Sequence, residues 1–215
     1  MPFQFEMKEE ENGVPFFHCP LKHYRCSHIN AKTGVQCGRK QYIGFDLCWK
    51  HLEMDCHLKI KKSNIKGAGK GLFAYNGTSN NDIIFKGKQS KGERIVAYNA
   101  EVISHEEANR RYGDHTAPYG VYVNKDAIED AGCCRSAGSI ANHISNSKAN
   151  AKLYSHQGRI YLRATKNIRN GDEILTDYGN DYQMKEEGIE ICKKVIILHR
   201  FRFRSPPCKS LSSYD

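Results

Sequence analysis

From about residue 60 onward the chain alternates between short apolar runs and breaks made of Gly, Asn or charged residues. The runs at 83–85, 95–98, 121–123, 153–155, 160–164 and 173–176 are rich in Ile, Val, Leu and Tyr and too short for helices, so they read as strands. Leu72-Phe73-Ala74 reads the same way. The clearest helix is 106–112, Glu-Glu-Ala-Asn-Arg-Arg-Tyr, with Ser104 placed to cap it and acidic residues in its first turn. Many short strands with one or two helices predict a mainly β, β-rich α+β fold built from several small sheets. The polar stretch 76–82 is a loop, and no internal repeat is present.

Composition narrows the class. A chain of 215 residues with 39% hydrophobic and 27% charged residues supports one well-buried domain and a small satellite. No apolar window is long enough for a transmembrane helix, so no membrane partner is expected. Residues 1–6 lack the basic-then-apolar order of a secretory leader. With no export signal, nine cysteines favour reduced thiols and metal ligation over a disulfide framework, the pair Cys133-Cys134 included. The net charge of +9, concentrated in 59–70 and in the last stretch, points to polyanionic partners such as nucleic acid or chromatin. Aromatic residues are not seen to interleave with the basic ones along a strand, as a single-strand-binding platform requires.

Near the front, Cys26, Cys37 and Cys48 are evenly spaced with ten residues between neighbours, and His51 follows after two more. Three thiolates and one imidazole satisfy a tetrahedral zinc ion, and Cys48-x2-His51 can grip it from one turn or helix start. So short a segment has too little apolar material to fold alone, and a structural Zn2+ would supply the missing free energy. Cys19, His23, His28, Cys56 and His57 are competing ligands; Cys56-His57 is the pair that most threatens the assignment. The lesser alternative is that these are ordinary core residues of a helical cap.

The Gly-rich segment Lys66-Gly67-Ala68-Gly69-Lys70-Gly71 is not a nucleotide P-loop, since it lacks the Gly-Lys-Ser/Thr ending and runs into a strand. It marks a place where backbone comes close to something bulky. Followed by Leu72-Phe73-Ala74, it resembles the first motif of the SET-domain protein lysine methyltransferases. Gly92-Glu93-Arg94-Ile95-Val96-Ala97-Tyr98-Asn99-Ala100-Glu101-Val102-Ile103-Ser104 is similar to that family's next string. Asp130-Ala131, Ala141-Asn142-His143 and Glu173-Ile174-Leu175-Thr176-Asp177-Tyr178-Gly179 follow in the family's order. The resemblance covers roughly residues 60–182.

The resemblance implies a SET-type fold with a threaded C-terminal segment and S-adenosylmethionine as cofactor. Ala68, Gly69, Lys70, Tyr119, Asn142 and His143 would hold that cofactor. Tyr178 and Tyr119 would be the catalytic tyrosines, with Asp177 bracing the turn. Tyr122, Phe201 and Phe203 would line a lysine channel. It implies a protein-lysine N-methyltransferase acting on a histone tail in the nucleus. Three departures mark a divergent member: Ile144 follows Asn-His, the next asparagine is displaced to Asn150, and the post-SET cysteine triplet is missing. The domains are read as a zinc module at 1–58, a SET domain at 59–182, and a basic, aromatic C-terminal segment at 183–215 that could close the channel. A second reading is a SET-like chromatin or nucleic-acid binding protein without catalysis. Cofactor binding separates the two.

Overall fold

A computed structural model describes residues 7–9, 15–17, 25–41, 45–88, 92–112, 117, 119–132, 134–145 and 147–179. Along the chain these form β1 (Met7–Glu9), β2 (Pro15–Phe17), α1 (Trp49–Cys56), β3 (Leu58–Lys62), β4 (Lys70–Ala74), β5 (Ile83–Phe85), β6 (Arg94–Ala97) and β7 (Glu101–Ser104). Then come α2 (His105–Tyr112), β8 (Gly120–Asn124), β9 (Ala127–Asp130), a 3-10 turn (Ala137–Ile140), β10 (Asn142–His143), β11 (Ala151–His156), β12 (Arg159–Ala164), β13 (Ile168–Arg169) and β14 (Leu175–Thr176). The expectation of a β-rich chain made of small sheets holds.

The largest sheet has the order β10-β14-β11-β12-β6, and its neighbours are the pairs β3-β4 and β13-β5 and the triplet β7-β9-β8. β11 and β12 alternate because one face is buried and the other is not. Ile160, Leu162 and Ala164 point to the core, while Arg159, Tyr161 and Arg163 point outward. The outer face therefore does interleave aromatic and basic residues, which corrects the sequence expectation. In linear order the turn at Gln157-Gly158 separates the two halves of the pattern.

The main core joins Leu72 and Ala74 of β4, Leu162 and Ala164 of β12, Phe85, Ile168 and Ile174. Phe45 and Leu52 from the Cys/His region belong to the same cluster. The boundary placed at residue 58 falls on the first residue of β3, whose Leu58 is fully buried in this shared core. A second cluster gathers Tyr98, Ala100, Val123, Ala131 and Ile160.

Buried charge ties the triplet sheet to the rest. Glu129 on β9 is fully buried; its carboxylate accepts from the backbone N–H groups of Ala100 and Ile160 at 2.8 and 2.7 Å and pairs with Arg159 at 3.2 Å. Arg111 on α2 reaches Glu101, Glu107 and Asp130. Each charge is partnered, which burial requires. α2 starts as the sequence predicts, the Glu107 N–H donating to Ser104 Oγ at 3.1 Å.

Candidate functional site

Three sequence-distant segments converge where β14 enters between β10 and β11. β14 runs parallel to β10, pairing Asn142 with Leu175 and His143 with Thr176, and parallel to β11 through Ala151 and Thr176. The segment carrying β14 thus passes between two earlier strands. Asn150 secures the passage: its Nδ2 donates to Glu173 O at 2.8 Å and its Oδ1 accepts from Leu175 N at 2.8 Å. The displaced asparagine of the motif is therefore a backbone clasp.

At the upstream edge, the Gly-rich turn closes with Ser63 N donating to Gly69 O at 2.9 Å. Gly69 sits at φ +72, a conformation that favours glycine. Lys70 O accepts from Asn142 Nδ2 at 2.9 Å, and the same nitrogen donates to Glu173 Oε1 at 3.1 Å. Gly71 lies directly over this contact: a Cβ there would collide with the Glu173 carboxylate and crowd the Asn142 amide. Glu173 also accepts from Ser63 Oγ at 2.6 Å and Asn64 N at 2.7 Å.

Both acceptors facing the Asn142 amide demand donors, so its NH2 must point at them and its Oδ1 points away. Among the described residues Oδ1 accepts no hydrogen bond. A half-buried acceptor beside a Gly-rich turn fits a cationic amino group, such as the amino-acid end of S-adenosylmethionine.

Tyr178 faces the same point. Its hydroxyl donates to Ala141 O at 2.8 Å, and its backbone N–H donates to His143 Nδ1 at 3.1 Å. The second bond puts the proton of a neutral His143 ring on Nε2. The rings of His143 and Tyr178 lie 5.2 Å apart. Asp177 Oδ1 accepts from Gly179 N at 2.9 Å, which holds the turn after β14. Behind them, Tyr98 donates its hydroxyl to Tyr119 O at 2.9 Å. Burial pushes the Tyr98 hydroxyl well above its ordinary range, with Tyr178, Asp130 and Tyr119 adding to the effect. Arg135 stacks 4.0 Å over the Tyr119 ring.

Ala68, Gly69, Lys70, Asn142, His143 and Tyr178 thus meet in one region, with Tyr119 linked to it through Tyr98. Tyr122 does not join them. It is 62% exposed and its ring lies 5.8 Å from His105, on the face of β8 opposite Val121 and Val123. A one-residue alternation along β8 puts Tyr122 on the face away from this cluster. Phe201 and Phe203 lie outside the described residues, as does the whole 183–215 segment. Sequence reasoning missed Glu173, Ser63 and Tyr98 as site builders. Gly71 was the available signal, since a glycine inside a strand announces a close approach.

The Cys/His unit is built around the start of α1. Cys48 precedes the helix and His51 lies in its first turn. Ligand atoms of Cys26, Cys37, Cys48 and His51 lie within 4.8 Å of one another. His51 Nδ1 is 3.3 Å from Cys26 Sγ and 3.4 Å from Cys48 Sγ. A tetrahedron with bonds of about 2.3 Å to sulfur and 2.0 Å to nitrogen has nitrogen–sulfur edges of about 3.5 Å, so the donor set fits zinc. Burial raises the Cys26 thiol and lowers the His51 imidazole. Burial acts upward on Cys48 too, but hydrogen bonds from the His51 backbone N–H, the Cys26 and Cys37 thiols and the Lys50 N–H together outweigh it and bring that thiol down.

Of the competing ligands, His28 stacks on His51 at 3.7 Å and gives its Nδ1 to Asp55 at 2.6 Å, so it braces the cluster from outside. His57 is exposed at the end of α1, and Cys56 packs against the main core. Cys19 and His23 lie outside the described residues.

A Gly-rich turn, an Asn-His strand and a terminal tyrosine segment, brought together by a strand passed between two earlier ones, define a β-rich protein with a threaded site. The SET-domain family model matches residues 69–179, just over half of the chain, and the protein belongs to the SET-domain family. Among solved structures, the chain is similar to the polycomb repressive complex 2 of Chaetomium thermophilum, with 25% identity and a TM-score of 0.46 over 59% of this chain and 16% of that one. It is also similar to ctPRC2 in an autoinhibited conformation bound to S-adenosylmethionine (25% identity, TM-score 0.45, 62% of this chain and 16% of that one). A third similar structure is ctPRC2 in complex with H3K27me3 and H3K27M (24% identity, TM-score 0.46, 61% and 15%). The present chain spans about a sixth of the length of those chains.

Proposed function

We propose that this protein is an S-adenosylmethionine-dependent protein-lysine N-methyltransferase whose substrate is a histone tail. The observation that carries the reading is the orientation of Asn142, whose amide hydrogens are committed to Lys70 O and Glu173 while Oδ1 faces outward. Membership of the SET-domain family supports the reaction class. The histone assignment extends the family's substrate class to this chain, with the nucleus as its compartment, and the +9 charge favours chromatin surroundings.

When bound, the cofactor's sulfonium supplies the methyl group. Asn142 Oδ1 would accept from the cofactor's ammonium, and the Gly69–Lys70 backbone would let that end approach. His143, on the same strand as Asn142, would help to hold it. Tyr178, fixed by Ala141 O and by its own N–H on His143, orients the substrate amine and keeps water from the line of transfer. The lysine loses its proton to solvent, so no strong base is needed in the site. The Cys26, Cys37, Cys48 and His51 cluster takes one structural zinc, which anchors α1 against the core.

Titration calorimetry with S-adenosylmethionine tests the cofactor assignment. The protein binds it with a one-to-one stoichiometry, and Asn142→Ala weakens binding about tenfold or more, as removal of a hydrogen bond to a charged group does. No heat of binding to a folded, zinc-loaded protein would remove the enzyme reading.

A further inference from the structure

The outer face of the largest sheet gathers cations and aromatic rings on one side. β11 contributes Lys152, Tyr154 and His156; β12 contributes Arg159, Tyr161 and Arg163; β6 adds Arg94 beside Arg163. The register puts Lys152 opposite Arg163, Tyr154 opposite Tyr161, and His156 opposite Arg159. None of these seven positions is an Asp or Glu. Like-charged residues placed directly opposite destabilise a sheet, so such a face costs free energy unless something offsets it.

Part of the offset is internal. The Arg94 guanidinium lies 3.9 Å over the Tyr161 ring, and that of Arg163 lies 3.8 Å over Tyr154. Arg94 Nε donates to Tyr154 Oη at 3.0 Å. Burial acts to raise the Tyr154 hydroxyl, but bonds from Arg94 and Arg163 outweigh it and draw the group below its ordinary range. Arg159 is bound to Glu129, Asn99 and Ala100 O, so it contributes less outward charge. For Arg94 and Lys152, both exposed, the described residues supply no carboxylate partner. Cations and π faces, preassembled on a rigid sheet, are the two elements that hold a nucleic-acid strand: one for phosphate, the other for base stacking.

We propose that the outer face of β11, β12 and β6 is a binding platform for single-stranded nucleic acid. It is separate from the methyl-transfer reading, because it uses the side of the sheet opposite Leu162 and Ala164 and none of the site residues. Arg94 and Lys152 meet phosphates, while Tyr154, Tyr161 and the guanidinium planes stacked on them carry bases.

Fluorescence anisotropy with labelled oligo(dT) and oligo(U) of about 15 nucleotides tests this on the full chain. The double variant Arg94→Glu/Lys152→Glu, both at exposed positions, weakens binding at least about tenfold and lowers the slope of log K against log salt by about 1.4, or 0.7 per phosphate contact. Tyr161→Phe retains affinity and Tyr161→Leu loses about tenfold, with melting temperature recorded for each. Charge reversal at Lys61 and Lys66, in the other basic cluster, has much the smaller effect. Three outcomes would overturn the proposal. One is no oligonucleotide binding at low salt; another is loss of binding from the Lys61/Lys66 reversal but not from the sheet variant. The third is tighter binding of duplex that is indifferent to Tyr161.

Discussion

At Asn142 the direction of a side-chain amide is fixed by two acceptors from elsewhere in the chain, a backbone carbonyl and a buried carboxylate. The sequence identifies Asn142, His143 and Tyr178 because each sits in a short local motif. It does not reveal Glu173 as their organiser, because the bond from Ser63 to Glu173 spans 110 residues. Tyr119 and Tyr122 show the opposite limit. Both are near the right place in the chain, but strand alternation sends only Tyr119 toward the inner cluster. The hydroxyl of Tyr178 is held by Ala141 O, so Tyr178→Phe should preserve the fold and loosen the alignment of the amine. Single-turnover rates should fall about tenfold to a hundredfold with little change in cofactor affinity. A variant turning over at the original rate would show that the hydroxyl has no role in transfer.

Among the elements, α2 and its partners give the clearest pH dependence. Hydrogen bonds from Arg110 and Arg111 outweigh burial and hold the Glu107 carboxyl at about 2, against an ordinary value of 4.5. A depressed carboxyl stabilises the fold above its unfolded pKa, and that contribution is lost as pH falls toward the folded one. Melting temperature should therefore drop between about pH 4.5 and 2, and Glu107→Gln should start lower at neutral pH and fall less across that window. Equal slopes for the two proteins would place the acid sensitivity elsewhere. The β11–β12 hairpin shows what linear reading loses at this scale. Its strands are visible as apolar alternation, yet the polar half of the pattern becomes a basic-aromatic face only once register pairs Tyr154 with Tyr161.

For the whole molecule, the Cys/His unit and the sheets share one apolar core, with Leu52 of α1 packed among Leu58, Leu72 and Leu162. The sequence separates them because the change in texture near residue 60 looks like a boundary; the packing that crosses it is long-range. Metal loss should therefore be felt globally. Metal analysis should find one zinc per chain, and its removal by a strong chelator should lower the melting temperature by more than about 5 °C, since about 1 kcal/mol corresponds to 2–4 °C at this size. Leu52→Ala should cost about 2–5 kcal/mol with zinc retained, which separates packing from ligation. A chelated protein that melts unchanged would mean that the cluster does not carry zinc.

Whether Asn142, His143 and Tyr178 meet around one reacting point is tested most directly by incubating the protein with methyl-labelled S-adenosylmethionine and core histones, beside Asn142→Ala. Label should appear on histone lysine with the original protein and fall at least about tenfold with the variant. Cofactor binding without transfer to any histone would contradict the proposed substrate, and equal labelling by both proteins would contradict the site.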